Sequence, residues 1–171
     1  MVMQHWHDVS LLNSALRTSK EILSTNFYEG RIEPKFISEA CFIFLMINLR
    51  DALLILDKLG RRINFTDDLP EDIDITEAIR QMRNSTCHLG SPSRQVDANG
   101  NILSYCRMSG AGVLAQINDV IISNEYMDDV AFFYGKQKLL LNRHLKRACD
   151  EAIVEAENFA QSVGLHWFPF E

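Results

Sequence analysis

The run Arg83-Asn84-Ser85-Thr86-Cys87-His88 places a guanidinium, a carboxamide and an imidazole close together in the chain. Cleaving an RNA phosphodiester without a metal needs a base for the 2′-hydroxyl proton and a cation for the phosphorane charge. Imidazole titrates near neutral pH, so His88 suits proton transfer at the 2′-hydroxyl. The guanidinium of Arg83 offers a fixed fork of donors to the charge that gathers on the phosphorane. Asn84 suits orientation of a phosphate oxygen or of the scissile ribose. Attack by the 2′-hydroxyl would leave a 2′,3′-cyclic phosphate and a 5′-hydroxyl. The plainer reading is that Arg83 and His88 are helix-end polar residues tied to local carbonyls. Ser85 and Thr86 fit packing or backbone-bonding roles. Cys87 fits a small buried hydrophobe.

The element that must position these residues is a helix, the third in the chain. Asp74 and Glu77 have the spacing of a capping box. Ile75, Ala78, Ile79, Met82 and Thr86 form a helical stripe, and Gly90 and Pro92 supply the stop. Arg83 then lies inside the helix and His88 in its last turn. Five residues at ~100° each set the two side chains roughly 140° apart. They would meet across an interface, or around the frayed helix end, more readily than on one small ligand within a chain. The helix terminus favours a protonated His88, and a partner's arginine opposes that, so base and acid roles both stay open.

Around this helix the pattern is mainly α. Helix one is expected over residues 8 to 29, with Leu12, Leu16, Leu23 and Phe27 on one face and Gly30 at its end. Helix two is expected from Pro34 to about Leu59, apolar nearly all round in its first half and therefore central. Arg50 and Asp51 interrupt it, as a solvated or locally paired strip or as part of a polar site. A last long helix is expected over about 136 to 162, with a basic first half (Lys136, Lys138, Arg143, His144, Lys146, Arg147) and an acidic second half. That polarity opposes the helix dipole, and a local anion or an acidic neighbour would explain it. The basic run is either an RNA-guiding surface or a solvated face. Between the third and last helices, Val96 to Cys106 reads as a β-hairpin around Asn99-Gly100. Residues 113 to 134 fit a short helix or strands, with strands extending the hairpin preferred. The expected architecture is an up-and-down four-helix bundle, one domain over 1–171, with a small β-hairpin insertion at about 91–134.

At 171 residues the chain can bury a real core, and 47% hydrophobic residues mark it as globular. The net charge of −6 excludes a general nucleic-acid coat, so RNA would need a local basic patch. The four cysteines are scattered, and His5, His7 and Asp8 interrupt any opening apolar run, which together suggest a reduced, cytoplasmic protein without a signal peptide. No apolar run is long enough to span a bilayer. His5 and His7 alone make a poor metal site, and His166 beside Trp167 and Phe168 reads as packed. The tail from Leu165 to Phe170 is apolar enough to pack on the bundle or on a second subunit.

Four long helices with Arg83, four residues and His88 closing the third resemble the HEPN family, where arginine followed by asparagine is the common form. Asp128 to Gly135 and Leu141 to Ala148 look like further segments of some bacterial members. The resemblance implies a homodimer through the third helix, with both copies of the motif in one cleft. It further implies a metal-independent endoribonuclease without cofactor, often a toxin or phage-defence effector with an antitoxin or regulatory protein. The other implied class is a non-catalytic dimer that binds nucleic acid or a protein partner. Some toxins carry a tyrosine two places after the histidine, which a nucleotidyltransferase antitoxin modifies; here that position is Gly90.

Overall fold

The computed structural model describes residues 2–28, 35–88 and 90–167. Gly30, Pro34 and the tail beyond Trp167 lie outside them, but the first helix runs from Val2 to Ser24 and not over the expected 8 to 29, residues 25–28 being turns. Three helices come first: α1 (Val2–Ser24), α2 (Lys35–Lys58) and α3 (Ile75–Cys87). A 3-10 turn at Pro92–Arg94 leads to five strands: β1 (Cys106–Ser109), β2 (Gly112–Ile117), β3 (Val120–Asn124), β4 (Val130–Tyr134) and β5 (Gln137–Leu140). A π-helical turn, Leu141–Lys146, feeds α4 (Arg147–Ser162). None of the described helices is long and apolar enough to cross a membrane.

Two sheets change the expected architecture. One has the order β1-β4-β5 and the other pairs β2 with β3, all antiparallel. The protein is therefore a mixed α/β fold, and the helical bundle with a single small hairpin is incorrect. Strand β4 carries the difference. Phe132 and Tyr134 face a core shared with the helices, whereas Ala131 and Phe133 face a second core with Val96, Ile122 and Leu140. Alternate residues of one strand thus wall two cores, and both faces must be apolar. The last helix starts at Arg147, about eleven residues later than expected, because Gln137 to Leu140 pair with β4. Asn99-Gly100 does make a tight turn, with the Asp97 carboxylate accepting from the Asn99 and Asn101 amides at 3.0 and 3.1 Å. The expected hairpin around it shrinks to one bridge, Gln95 to Ile102. Strands do form within 113–134, but β2 and β3 are a separate ribbon.

Helix α2 is central, touching α1, α3 and α4. Phe42, Leu45, Met46, Leu49, Leu53 and Leu56 are fully buried along it. Each such side chain contributes about 1.5–3 kcal/mol on leaving water. Phe42 stacks on Phe132 at 4.7 Å between centroids, locking the helical layer to β4. Tyr105 and Tyr134 join this aromatic cluster and anchor their hydroxyls on Ser38 (2.7 Å) and on the Glu39 carboxylate (2.6 Å). Burial pushes the Tyr105 hydroxyl up to about 12.

Candidate active site

Helix α3 is fixed at both ends. At its start the Glu77 amide donates to Asp74 Oδ1 at 2.9 Å, as a capping box requires. The reciprocal half is not formed, because the Glu77 carboxylate is held by Arg80 (2.7 and 2.6 Å) and Gln81 (2.8 Å). Arg62 occupies Asp74 instead, with Nε at 2.7 Å and Nη2 at 3.0 Å. Burial raises the Asp74 carboxyl, but the Arg62 bonds and the Glu77 amide outweigh it and hold the group below its ordinary range.

The other end is built by distant segments. The helix closes at His88, which leaves it with φ −119° and ψ 102° and gives its amide to Asn84 O at 3.2 Å. His88 is thus the cap rather than part of the last turn, and Gly90 is not a left-handed stop. The buried Arg94 donates from Nε to Ser85 O (2.7 Å) and from Nη2 to Thr86 O (3.3 Å). A cation at the helix C-terminus opposes the negative end of the dipole. Ser85 Oγ touches Ser93 Oγ at 2.6 Å and Gln137 Oε1 at 2.7 Å, and Ser93 touches Ser91 at 2.5 Å. Gly135 has φ +59°, and a Cβ there would sit 2.2 Å from Ser93 O. The β4–β5 turn therefore presses directly on the segment that closes α3.

Against this clamped background the motif side chains stand apart. Thr76, Glu77, Arg80, Gln81, Ser85 and Thr86 all have side-chain hydrogen bonds. The side chains of Arg83, Asn84 and His88 have none among the described residues. Arg83 is half-buried, and its Nε is sealed from solvent without an acceptor. A buried donor left so costs about 1–3 kcal/mol. His88 is exposed. Cys87 is exposed too, a correction to its expected burial. Arg83 and His88 do not bond to one another within the chain.

No family model, curated protein or solved structure matches the chain. Function must therefore be argued from the side chains themselves.

The six basic candidates after Gly135 are dispersed, not aligned on one helix. Lys136 and Lys138 belong to the β4–β5 hairpin; Lys138 pairs with Glu125. Arg143 lies 4.0 Å over the Tyr126 ring and pairs with Asp128 (3.0 Å), Asp129 (3.1 Å) and Asp68 (3.7 Å). Arg147 pairs with Asp67 (2.9 Å) and Glu151 (2.8 Å). Lys146 lies 5.3 Å over the Tyr28 ring. The acidic neighbours that the sequence called for are thus present. His144 is fully buried, accepting from the Leu140 amide at Nδ1 (3.0 Å), so Nε2 carries the proton that faces Asp67 O (3.1 Å). It offers nothing to a phosphate. Among the described residues no three His, Cys, Asp or Glu side chains gather as a metal site. His5 packs edge-on against Phe159 and His7 is exposed. Arg50 bonds Asp51 at 2.7 Å, which fits the locally paired strip.

His144 carries a pH prediction. Burial depresses its pKa, outweighing the nearby Asp67, Asp68 and Asp129, while Lys138 adds to the depression. The unfolded chain takes up this proton near the ordinary value of about 6.5, and the folded chain only at lower pH. Stability is therefore complete above about pH 7 and falls as the pH drops through 6.5. The depressed carboxyls of Asp74 and Glu77 act lower, below about pH 4. Urea midpoints at pH 7.5 and 5.5 should differ in the wild type and converge in His144→Gln. An equal drop in the variant would exclude His144 as the source.

Sequence reasoning missed Arg94, Gln137 and Asp129. Asp129 is the buried carboxylate that accepts from the amides of Asn142 (2.9 Å) and Arg143 (3.1 Å) and starts the π-helical turn. The acidic pair Asp128-Asp129 before an apolar run was its available signal. Arg94 and Gln137 had none, since their partners are set by tertiary contact.

Proposed function

We propose that the protein is a metal-independent endoribonuclease of the HEPN type, acting as a homodimer through α3. One observation carries the reading. On a helix and cap whose other hydrogen-bonding side chains are engaged, Arg83, Asn84 and His88 alone are left uncommitted among the described residues. A buried guanidinium nitrogen without an acceptor calls for one from outside, and a phosphate supplies it. In this scheme His88 moves the 2′-hydroxyl proton, Arg83 holds the phosphorane charge, and Asn84 orients the scissile group. A second reading is favoured by the neutralised basic residues: a non-catalytic dimer in which the motif bonds across the interface. Incubating purified protein with total RNA in EDTA separates the two. The enzyme reading expects fragments ending in 2′,3′-cyclic phosphate and 5′-hydroxyl, lost in His88→Ala with the dimer intact. Intact RNA, 3′-hydroxyl ends or a magnesium requirement would sink it.

A further inference from the structure

A pocket of about 450 Å³ lies between α3 and β5, away from the motif. That volume falls within the range of small-molecule sites. Leu69, Pro70 and Ile73 give it apolar surface, with Met82 and Leu139 buried behind them, while Gln81, Gln137 and Lys136 bring polar groups to it. Hydrogen-bond logic fixes what the two amides offer. Ser85 Oγ lies 2.7 Å from Gln137 Oε1 and 3.1 Å from Gln81 O, and with its one proton on the shorter contact it accepts from Ser93, which then accepts from Ser91. This satisfies every hydroxyl in the chain and leaves Gln137 Nε2 without a partner among the described residues. Gln81 Nε2 is spent on Glu77 Oε1 at 2.8 Å, which leaves its Oε1 as an acceptor. Lys136 is exposed and unpaired among the described residues, whereas Lys138 pairs with Glu125 and Asp68 with Arg143 and Tyr126. The site therefore presents one donor, one acceptor, an apolar slot and one uncommitted cation.

We propose that this pocket holds a single nucleotide, its unstacked base in the apolar slot and its phosphate at Lys136. A donor and an acceptor lining one pocket suit the edge of a nucleobase, and the apolar lining suits its faces. The placement ties the pocket to the motif. Gln81, Asn84 and Ser85 share one face of α3, and the helix from Gln81 to Cys87 plus the cap sets His88 about 10 Å further along the axis. A nucleotide or two of unstacked strand bridges about that distance. Resting on the endoribonuclease reading, the pocket selects a base beside the cleaved phosphate.

The four nucleoside 5′-monophosphates and their nucleosides are the probes, titrated into the full-length protein and followed by NMR. At least one monophosphate should bind. Gln137→Glu keeps an acceptor for Ser85 and removes the donor, so base binding should weaken about tenfold or more with an unchanged urea midpoint. Lys136→Glu should weaken the monophosphate and leave its nucleoside unaffected. His88→Ala should bind as the wild type does. No binding at millimolar concentration, or both pocket variants binding as the wild type, overturns the proposal. Binding without cleavage of any RNA removes the nuclease reading and leaves the nucleotide site standing.

Discussion

Arg83→Ala and His88→Ala should each silence cleavage alone, and a mixture of the two should recover part of it. Loss of the general base or acid lowers the rate roughly a hundred- to ten-thousand-fold. Loss of the charge-stabilising guanidinium lowers it by about a hundred- to a thousand-fold. The recovery comes from geometry. Arg83 lies inside α3 while His88 leaves it as the cap, with φ −119° and ψ 102°, and the two do not bond within the chain. If one site draws arginine from one protomer and histidine from its partner, a mixed dimer has one intact site and one doubly damaged site. Random exchange makes about half of the dimers mixed, so activity should return to roughly a quarter of the wild type. If each site were built within one protomer, every site in the mixture would carry one lesion and nothing would return. Measuring cleavage after co-refolding the two variants, with each variant alone as control, decides between these arrangements.

The helical half of the fold was legible because its signals are local. Asp74 and the Ile75, Ala78, Ile79, Met82 stripe announce α3, and the structure places it at Ile75–Cys87. The strands were harder because their evidence is spread over the chain. In β4 both faces are buried, so Val130 to Tyr134 lacks the alternation that marks a one-sided strand. In β5 and the turn after it, Gln137 to Lys146 mixes basic and apolar residues in a way that also suits a helix. Only pairing with β4 selects the strand. The apparent conflict of this basic segment with the helix dipole was therefore a sign of misplacement. Its first residues are not helical, and Asp67, Asp68, Asp128 and Asp129 surround the arginines that follow.

The candidate site divides along the same line. Arg83, Asn84 and His88 stand in one run and were read from it. Arg94 and Gln137 act through contacts that their own neighbourhoods do not encode. Gln137 reaches Ser85 across 52 positions, and Arg94 is identified only by the carbonyls it meets. The 3-10 turn and β5, which lie between α3 and α4, thus determine how the motif helix ends. A chain with the motif but without this support would hold His88 on a fraying terminus.

Asp129→Ala should be strongly destabilising although it removes no apolar core contact. The side chain is fully buried and accepts from the Val130 amide (2.8 Å), the Asn142 amide (2.9 Å), the Arg143 amide (3.1 Å) and Arg143 Nη1 (3.1 Å). Alanine leaves these amides without their acceptor beneath the π-helical turn, at about 1–3 kcal/mol for each that water cannot reach. Arg143 keeps Asp68 and Asp128, so loss of the ion pair adds little at that half-exposed end. The expected cost is about 2–4 kcal/mol, a large part of the stability of a domain of this size. Asn at the same position keeps one acceptor but turns an N–H₂ toward donors, so it should fall between alanine and the wild type. The clamp on α3 runs through Arg94, Ser93 and Gln137 rather than Asp129, so folded Asp129→Ala should cleave RNA near the wild-type rate. Urea unfolding at pH 7.5 reads the first effect and cleavage at low temperature the second. A midpoint unchanged in Asp129→Ala would mean that water satisfies these amides, and cleavage lost in a folded variant would mean that the two ends of β5 are mechanically coupled.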